Sequence, residues 1–125
     1  MLVDTDVLIF NQRGNQNAAD WLDSQQRFVL SAVTWMELVQ GVRNKDELRA
    51  LRQALRFWNA DIQPINEPIS ARAQFWLESY ALSHGLRMAD ALIAATAWHL
   101  ACPLLTANDR HYRFIDELDV QIFRP

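Results

Sequence analysis

One stretch of this chain, residues 89–105, is almost entirely apolar and leaves few choices of fold. It contains the charged residue Asp90 and is interrupted by Pro103, so it is too short and too broken to cross a bilayer, which needs about 20 consecutive apolar residues. A helix that is apolar on most of its faces must be buried. The sequence therefore predicts a buried helix, Met88–Ala101, that leads into a strand, Pro103–Thr106.

Short apolar runs alternate with helical patterns along the rest of the chain. Strands are predicted at Met1–Val3, Phe28–Leu30, Asp61–Ile65, Pro103–Thr106 and Val120–Phe123. Helices are predicted at Thr5–Phe10, Ala18–Ser24, Ser31–Val42, Asp46–Asn59, Glu67–His84 and Met88–Ala101. Strands that alternate with helices imply a parallel sheet flanked by helices on both faces. No repeat or linker divides the sequence, so we predict one α/β domain over residues 1–125.

Composition narrows the class of protein. The net charge is −3, whereas proteins that bind nucleic acids are often basic. Binding of a nucleic acid would therefore need a local basic patch, or acidic residues neutralised by bound cations. The single cysteine, Cys102, excludes an internal disulfide and fits a reducing cytosol. The first residues lack the basic and apolar regions of a signal peptide. We therefore expect a cytoplasmic protein without a membrane segment.

Acidic residues follow several of the predicted strands. Asp4 ends the first strand, Glu37 lies on the early turns of the helix after the second, and Asp109 follows the fourth. Asp90 opens the apolar helix that leads into the fourth strand. Because ligands of an open parallel sheet bind outside the carboxyl ends of its strands, we expect the four acids to converge at one edge.

Each of these acids also has a purely structural interpretation. Asp90 is a first-turn acid that the helix dipole favours, although an isolated carboxylate is costly to bury in an apolar helix. Residues 34–37 match a Ser/Thr-x-x-Glu capping box, which could explain Glu37 by itself. Asp4 and Asp109 could be turn residues. The functional interpretation therefore depends on their convergence.

Converging carboxylates need a cation. Two of them about 4 Å apart repel by roughly 4 kcal/mol at an effective dielectric constant near 20. Hard oxygen ligands select Mg²⁺ or Mn²⁺, and ions held by carboxylates are the usual apparatus of phosphodiester hydrolysis. The three histidines (His84, His99 and His111) show no metal-ligand spacing with a cysteine, so zinc is not expected.

The order and spacing of four segments match a known family across essentially the whole chain: Leu2–Ile9, Glu37–Val42, Ala89–Ala95 and Leu104–Asp109. They resemble PIN-domain nucleases, most closely the VapC-type toxins, and the Asp-Ala-Leu-Ile-Ala-Ala piece combined with the initial Asp is fairly specific. The resemblance implies that Asp4, Glu37 and Asp90 form an acidic metal-binding triad. It also implies a homodimer, RNA substrates that are often tRNA, and a cognate antitoxin that blocks the active-site groove.

The fourth acidic position departs from the family's pattern, which commonly has Thr-x-Asp or an Asp a few residues later. Asn108 stands at the first place and His111 near the second. Asp109, one residue off, is therefore the expected fourth acid, and Asn108 is a weaker candidate that could hold a water. Thr106 is expected to orient a carboxylate through its hydroxyl. Asp6 either supports the metal ligands or is a plain first-turn helix acid.

A row of arginines raises the question of phosphate binding. Arg49, Arg52 and Arg56 recur on one face of a predicted helix, with Arg43 upstream. Arginine supplies many phosphate contacts in protein–nucleic acid complexes, so the row is a weak RNA-binding candidate. A solvated helix face, balanced by the acids at positions 46 and 47, is the favoured alternative.

Two other functions compete with a nuclease. Asp4-Thr5-Asp6 after a strand also resembles the Asp-x-Asp opening of haloacid-dehalogenase-type phosphatases, in which the first Asp is the nucleophile. That family needs a downstream lysine and a later acidic pair, whereas the only lysine here is Lys45. A PIN-like module weakened in metal binding by Asn108, which binds RNA or protein without cleavage, is the second alternative.

Overall fold

The computed structural model describes residues 1–125 and contains one five-stranded sheet. The strands are β1 (Leu2–Val3), β2 (Phe28–Ser31), β3 (Ala60–Gln63), β4 (Leu104–Thr106) and β5 (Val120–Ile122). They pair in the order β3-β2-β1-β4-β5, and every pair is parallel. The predicted parallel sheet is confirmed, and its central strand is the first strand of the chain.

Six α-helices surround this sheet: α1 (Thr5–Gln12), α2 (Gln16–Ser24), α3 (Ala32–Gly41), α4 (Lys45–Phe57), α5 (Glu67–His84) and α6 (Met88–Leu100). Successive residues of a strand point to opposite faces, and β1 shows this in its two residues. Leu2 joins a core cluster built mainly from α5 and α6, whereas Val3 joins one built mainly from α1, α2 and α4. Helices therefore cover both faces, as predicted.

The buried helix α6 explains why the sequence is richest in alanine there. Its small side chains, such as Ala91 and Ala95, are fully buried and allow α5 to pack closely against it. Trp76 of α5 and Ile93 of α6 fill the space between the helices and the sheet. Burial of one large apolar side chain contributes about 1.5–3 kcal/mol, so this face of the sheet is a major source of stability.

Capping side chains set most of the helix starts. Five helices begin after a residue whose side chain accepts a hydrogen bond from the first turn: Asp4, Asn15, Ser31, Asn44 and Asn66. Helix α6 follows Arg87, which makes no such bond. At the other end of α5, Gly85 adopts the left-handed conformation (φ 68°), which glycine tolerates without a steric cost.

The differences from the sequence prediction lie at element ends. Helix α1 runs to Gln12, two residues beyond the prediction, and α2 begins at Gln16 because Asn15 caps it. Strand β3 begins one residue early and ends at Gln63. None of the helices combines the length and apolar character that a membrane span requires.

Candidate active site

The first acid of the site lies where β1 ends. Asp4 caps α1, and its Oδ1 accepts a hydrogen bond from the backbone nitrogen of Thr5 at 2.8 Å. The side chain is held beneath the surface, with only 6% of the residue exposed. Asp6 follows on the first turn of the same helix, so one short segment delivers two carboxylates to the carboxyl edge of the sheet.

Thr106, the last residue of β4, joins these two acids. Its hydroxyl oxygen lies 2.8 Å from Oδ2 of Asp4 and 3.3 Å from Oδ2 of Asp6. Asp6 Oδ2 also accepts a hydrogen bond from the backbone nitrogen of Ala107 at 3.0 Å. Because β1 and β4 are neighbours in the sheet, their carboxyl ends bring the acids and their donor together.

Tyr112 connects Asp4 to Asp90. The tyrosine is fully buried, and its hydroxyl oxygen lies 3.0 Å from Asp4 Oδ2 and 3.2 Å from Asp90 Oδ1. A phenol has one hydrogen, so it donates to one of these carboxylates at a time. The other oxygen of Asp90, Oδ2, lies 3.2 Å from Nδ1 of His111.

Glu37 reaches the same edge from α3. Its Oε1 accepts a hydrogen bond from the hydroxyl of Thr5 at 2.8 Å, and the Thr5 hydroxyl also lies 2.9 Å from that of the buried Thr34. The capping-box interpretation of Glu37 is wrong, because the helix begins three residues earlier than that motif requires. Its N-cap is Ser31, whose hydroxyl accepts from the backbone nitrogen of Val33 at 3.1 Å.

The turn after β4 arranges its side chains differently from the sequence expectation. Asp109 begins a short 3-10 helix, Asp109–His111, and its carboxylate faces Arg113 at 3.9 Å; it makes no hydrogen bond with the other acids. Asn108 contributes its backbone nitrogen, which donates to the Thr106 hydroxyl at 3.0 Å. Neither residue therefore joins Asp4, Asp6 and Asp90 through its side chain.

Sequence reasoning missed His111 and Tyr112. A tyrosine close to apolar residues such as Phe114 and Ile115 is typical of core, and only its fully buried hydroxyl between two carboxylates reveals its part in the site. For His111 the one available clue was its place near a position where the resembling family has an acid. The structure brings both residues to Asp90.

Burial governs the electrostatics of the cluster. Desolvation, followed by the charge of Asp6, raises the pKa of Asp4 from 3.8 to about 7, although hydrogen bonds from Thr106 and Tyr112 oppose this. Desolvation likewise raises the pKa of Asp6. Burial and the neighbouring carboxylates hold the pKa of Tyr112 far above its usual value, so its hydroxyl stays protonated. The only positive charge that opposes these shifts is that of His111, which lowers the pKa of Asp6, so the cluster is short of positive charge.

A divalent cation fits this deficit. Asp6 Oδ1 is buried without any hydrogen-bond partner, a costly arrangement that a cation would relieve. The surrounding donors are carboxylate and hydroxyl oxygens, the ligands that Mg²⁺ and Mn²⁺ prefer. In this conformation no three Asp, Glu, His or Cys side chains are placed to share one ion, so an ion held by one or two of these carboxylates would complete its coordination shell with water.

Comparison with known proteins agrees with this architecture. The family model described as "PIN domain" matches residues 1–117. The chain belongs to the PIN-domain family. This PIN domain is 35% identical over 122 residues to ribonuclease VapC10 of Mycobacterium tuberculosis, with 94% of this chain and 90% of the relative covered.

Two solved structures are similar to this PIN domain over nearly its whole length. A toxin–antitoxin complex from Klebsiella pneumoniae matches at a TM-score of 0.77 and 28% identity, covering 94% of this chain and 93% of that chain. FitAcB from Neisseria gonorrhoeae matches at a TM-score of 0.70 and 31% identity, covering 99% and 96%. The similarity therefore covers nearly the complete fold.

Two of the four arginines in the row of this PIN domain pair with acids near the start of α4. Arg43 pairs with Glu47 at 2.8 Å, and Arg49 pairs with Asp46 at 3.3 Å. Arg52 and Arg56 are exposed on α4. This arrangement favours the interpretation of the row as a solvated helix face.

Proposed function

We propose that this PIN domain is a metal-dependent endoribonuclease that hydrolyses RNA phosphodiesters and acts as the toxin of a toxin–antitoxin pair. The observation that supports this most is the convergence of Asp4, Asp6 and Asp90 around the hydroxyls of Thr106 and Tyr112. The relative named ribonuclease VapC10 and the solved toxin–antitoxin complex agree with this assignment. Transfer RNA is the substrate class that we would examine first.

Asp4, Glu37 and Asp90 are the residues that we propose to hold Mg²⁺ or Mn²⁺. When bound, such an ion lowers the pKa of a water and stabilises the charge that develops on the phosphodiester. The protein's own contribution is orientation: Thr106 and Tyr112 direct Asp4, and Thr5 directs Glu37. Asp6, with its partnerless Oδ1, adds negative charge next to Asp4.

One alternative function has a structural observation in its favour. The absence of three side chains already close enough to share an ion would suit a PIN-like module that binds RNA or protein without cleaving it. The phosphatase alternative has no such support, because the only lysine, Lys45, is exposed at the start of α4. Divalent-ion binding that depends on Asp90 separates the nuclease from the binding module.

An antitoxin is the protein partner that we propose. A groove of about 750 Å³ runs between α1, α3 and α4 and includes Glu37 among its lining residues. Apolar side chains such as Leu38, Val42 and Leu51 line it, with Arg13 and Arg43 also present. A segment bound in this groove would cover the approach to Glu37, so binding and inhibition would coincide. We place this system in the cytoplasm, where RNA substrates are available.

A homodimer is the assembly that we propose. Phe75 and Leu82 are exposed and lie seven residues apart on α5, a spacing that places them on the same side of a helix. Met88, at the start of α6, is also exposed. A second copy of the chain would cover these apolar side chains.

RNA cleavage by the purified, partner-free protein tests the proposed activity. Total RNA and tRNA are incubated with Mg²⁺, Mn²⁺ or EDTA, using wild type, Asp90→Asn and a control variant, Asp116→Asn, at an exposed position outside the cluster. The proposal expects cleavage that requires metal, is lost in Asp90→Asn and survives in Asp116→Asn. Equal cleavage by Asp90→Asn and wild type would refute the assignment. If wild type neither cleaves RNA nor binds metal, the binding module is favoured.

A further inference from the structure

Two consecutive side chains contact the two oxygens of one carboxylate. The hydroxyl of Tyr112 lies 3.2 Å from Asp90 Oδ1, and Nδ1 of His111 lies 3.2 Å from Asp90 Oδ2. One short turn after β4 therefore faces both sides of the Asp90 carboxylate. These are the only side-chain hydrogen-bond or ion-pair contacts that Asp90 makes.

Asp90 has little else to fix its orientation. It lies on the first turn of α6, the one α-helix whose N-cap residue, Arg87, makes no side-chain capping bond. Its side chain is 23% exposed, so neither deep packing nor bulk water alone determines its rotamer. The side chains at positions 111 and 112 are consequently the principal constraint on where its oxygens point.

The turn that presents these side chains is itself well fixed. The backbone nitrogen of His111 donates to the carbonyl of Asn108 at 3.1 Å, and that of Tyr112 donates to Asp109 at 2.9 Å. The Tyr112 ring is fully buried, and its hydroxyl also lies 3.0 Å from Asp4. His111 differs, because its side chain is 47% exposed, so it can be changed with little disturbance of the core.

We propose that His111 and Tyr112 are positioning residues that orient Asp90 for divalent-cation binding, in the turn where a fourth acid was expected. This inference rests on the proposed function, since it assigns Asp90 to a metal site. Nδ1 of His111 orients Asp90, and the Tyr112 hydroxyl lies between the carboxylates of Asp90 and Asp4. This turn therefore places a hydroxyl and an imidazole nitrogen beside the Asp90 carboxylate, in place of a carboxylate of its own.

The size of the effect can be anticipated from other metal sites. Groups that hydrogen-bond to metal ligands typically change metal affinity or activity 10–100-fold when they are removed. We therefore expect His111→Ala to raise the Kd for Mn²⁺ by about 10–100-fold. Because the His111 side chain is half exposed, we do not expect His111→Ala to unfold the protein. Circular dichroism checks this directly.

Two conservative variants separate positioning from direct contact with the ion. Asparagine places a polar atom close to the position of Nδ1, whereas glutamine places one close to Nε2. The proposal expects His111→Asn to recover most of the Mn²⁺ affinity and His111→Gln to recover little. His99→Ala is the matched control, because this exposed histidine lies on α6 with Asp90 but contacts Asn66 at 3.1 Å.

The measurement is calorimetric titration of the full chain with Mn²⁺, using wild type, the three His111 variants, His99→Ala and Tyr112→Phe. Tyr112→Phe removes only the hydroxyl and is expected to weaken Mn²⁺ binding as well. Unchanged affinity in both His111→Ala and Tyr112→Phe would overturn the inference. Recovery by glutamine but not asparagine would also overturn it, because the ring would then contact the ion itself. Wild type that binds no Mn²⁺ would overturn the proposed function together with this inference.

Discussion

Thr5 donates its hydroxyl hydrogen to Glu37, with Oγ1 and Oε1 2.8 Å apart across 32 residues of sequence. The backbone nitrogen of the same residue donates to Asp4 at 2.8 Å. A single threonine therefore orients the acid that follows the central strand and an acid of α3. The buried hydroxyl of Thr34, 2.9 Å away, completes the group and leaves the Thr5 hydroxyl little freedom to rotate.

Replacing Thr5 tests this shared orientation. We expect Thr5→Val to lower metal-dependent cleavage by about 10–100-fold, because the donor to a proposed metal ligand, Glu37, is lost. It should also lower the free energy of unfolding by about 1–3 kcal/mol, because the Thr34 hydroxyl loses its buried partner. Thr5→Ser retains the hydroxyl and should cleave at close to the wild-type rate. Equal activity of the valine and serine variants would contradict the assigned role.

Replacement of Asp109 by asparagine should affect RNA cleavage far less than the same replacement of Asp90. Asp109 faces Arg113 and makes no hydrogen bond with the acidic cluster, whereas Asp90 is held by Tyr112. We expect Asp109→Asn to cleave RNA at close to the wild-type rate and Asp90→Asn to be inactive. Initial rates with Mn²⁺ decide between them. An inactive Asp109→Asn that still folds would restore Asp109 as the fourth acid.

The metal-free protein should lose stability as the pH rises from about 4 to about 7. Burial and the charge of Asp6 raise the pKa of Asp4 from 3.8 to about 7. Between these values the folded state keeps the proton that the unfolded chain releases, so rising pH favours unfolding. A shift of this size corresponds to a loss on the order of 4 kcal/mol, which is complete above the folded pKa.

Urea unfolding in EDTA between about pH 5 and about pH 8 measures this dependence. Asp4→Asn is the matched variant, because an amide cannot ionise, and its stability should change less over the same interval. Saturating Mn²⁺ should stabilise wild type more at the upper end, where protons no longer compete for the carboxylate. If wild type and Asp4→Asn show the same slope, the folded Asp4 does not retain the proton.

The arginine row should contribute little to RNA binding. Arg43 and Arg49 already pair with neighbouring acids. If an arginine contacted an RNA phosphate, its removal would reduce the slope of log Kd against log salt by roughly one unit. We expect the double variant Arg49→Ala/Arg52→Ala to retain the wild-type slope of log Kd against log salt. Binding is measured with Asp90→Asn, which leaves the RNA uncut. A clearly shallower slope would assign α4 to the RNA interface.

The elements of this fold were predictable because their apolar periodicities are strong. The alternation of short buried runs with amphipathic helices predicted the parallel sheet, and the nearly continuous apolar character of residues 88–101 predicted a buried helix. The ends of elements were less predictable, because a single capping side chain such as Asn15 moves a helix start by two residues.

The site was only partly predictable for a related reason. Acids at strand ends can be recognised in the sequence, because parallel strands bring their carboxyl ends to one edge. The donors that orient these acids carry no such sequence signal. Whether Tyr112 is simple core or a bridge between Asp4 and Asp90 depends on the path of a short 3-10 helix, and hydrophobic periodicity does not specify that path. The same path places the Asp109 carboxylate 3.9 Å from Arg113.

The central strand β1 pairs with β4, a strand that is synthesised much later. Tyr112 is made 108 residues after its partner Asp4. At about 5–20 residues per second, that interval is about 5–20 s. During translation the hydrolytic centre is therefore complete only after β4 and Tyr112 have been made and have joined β1 and Asp4. In the proposed toxin this delay gives an inhibitor already present in the cell time to meet the chain before it is able to cut.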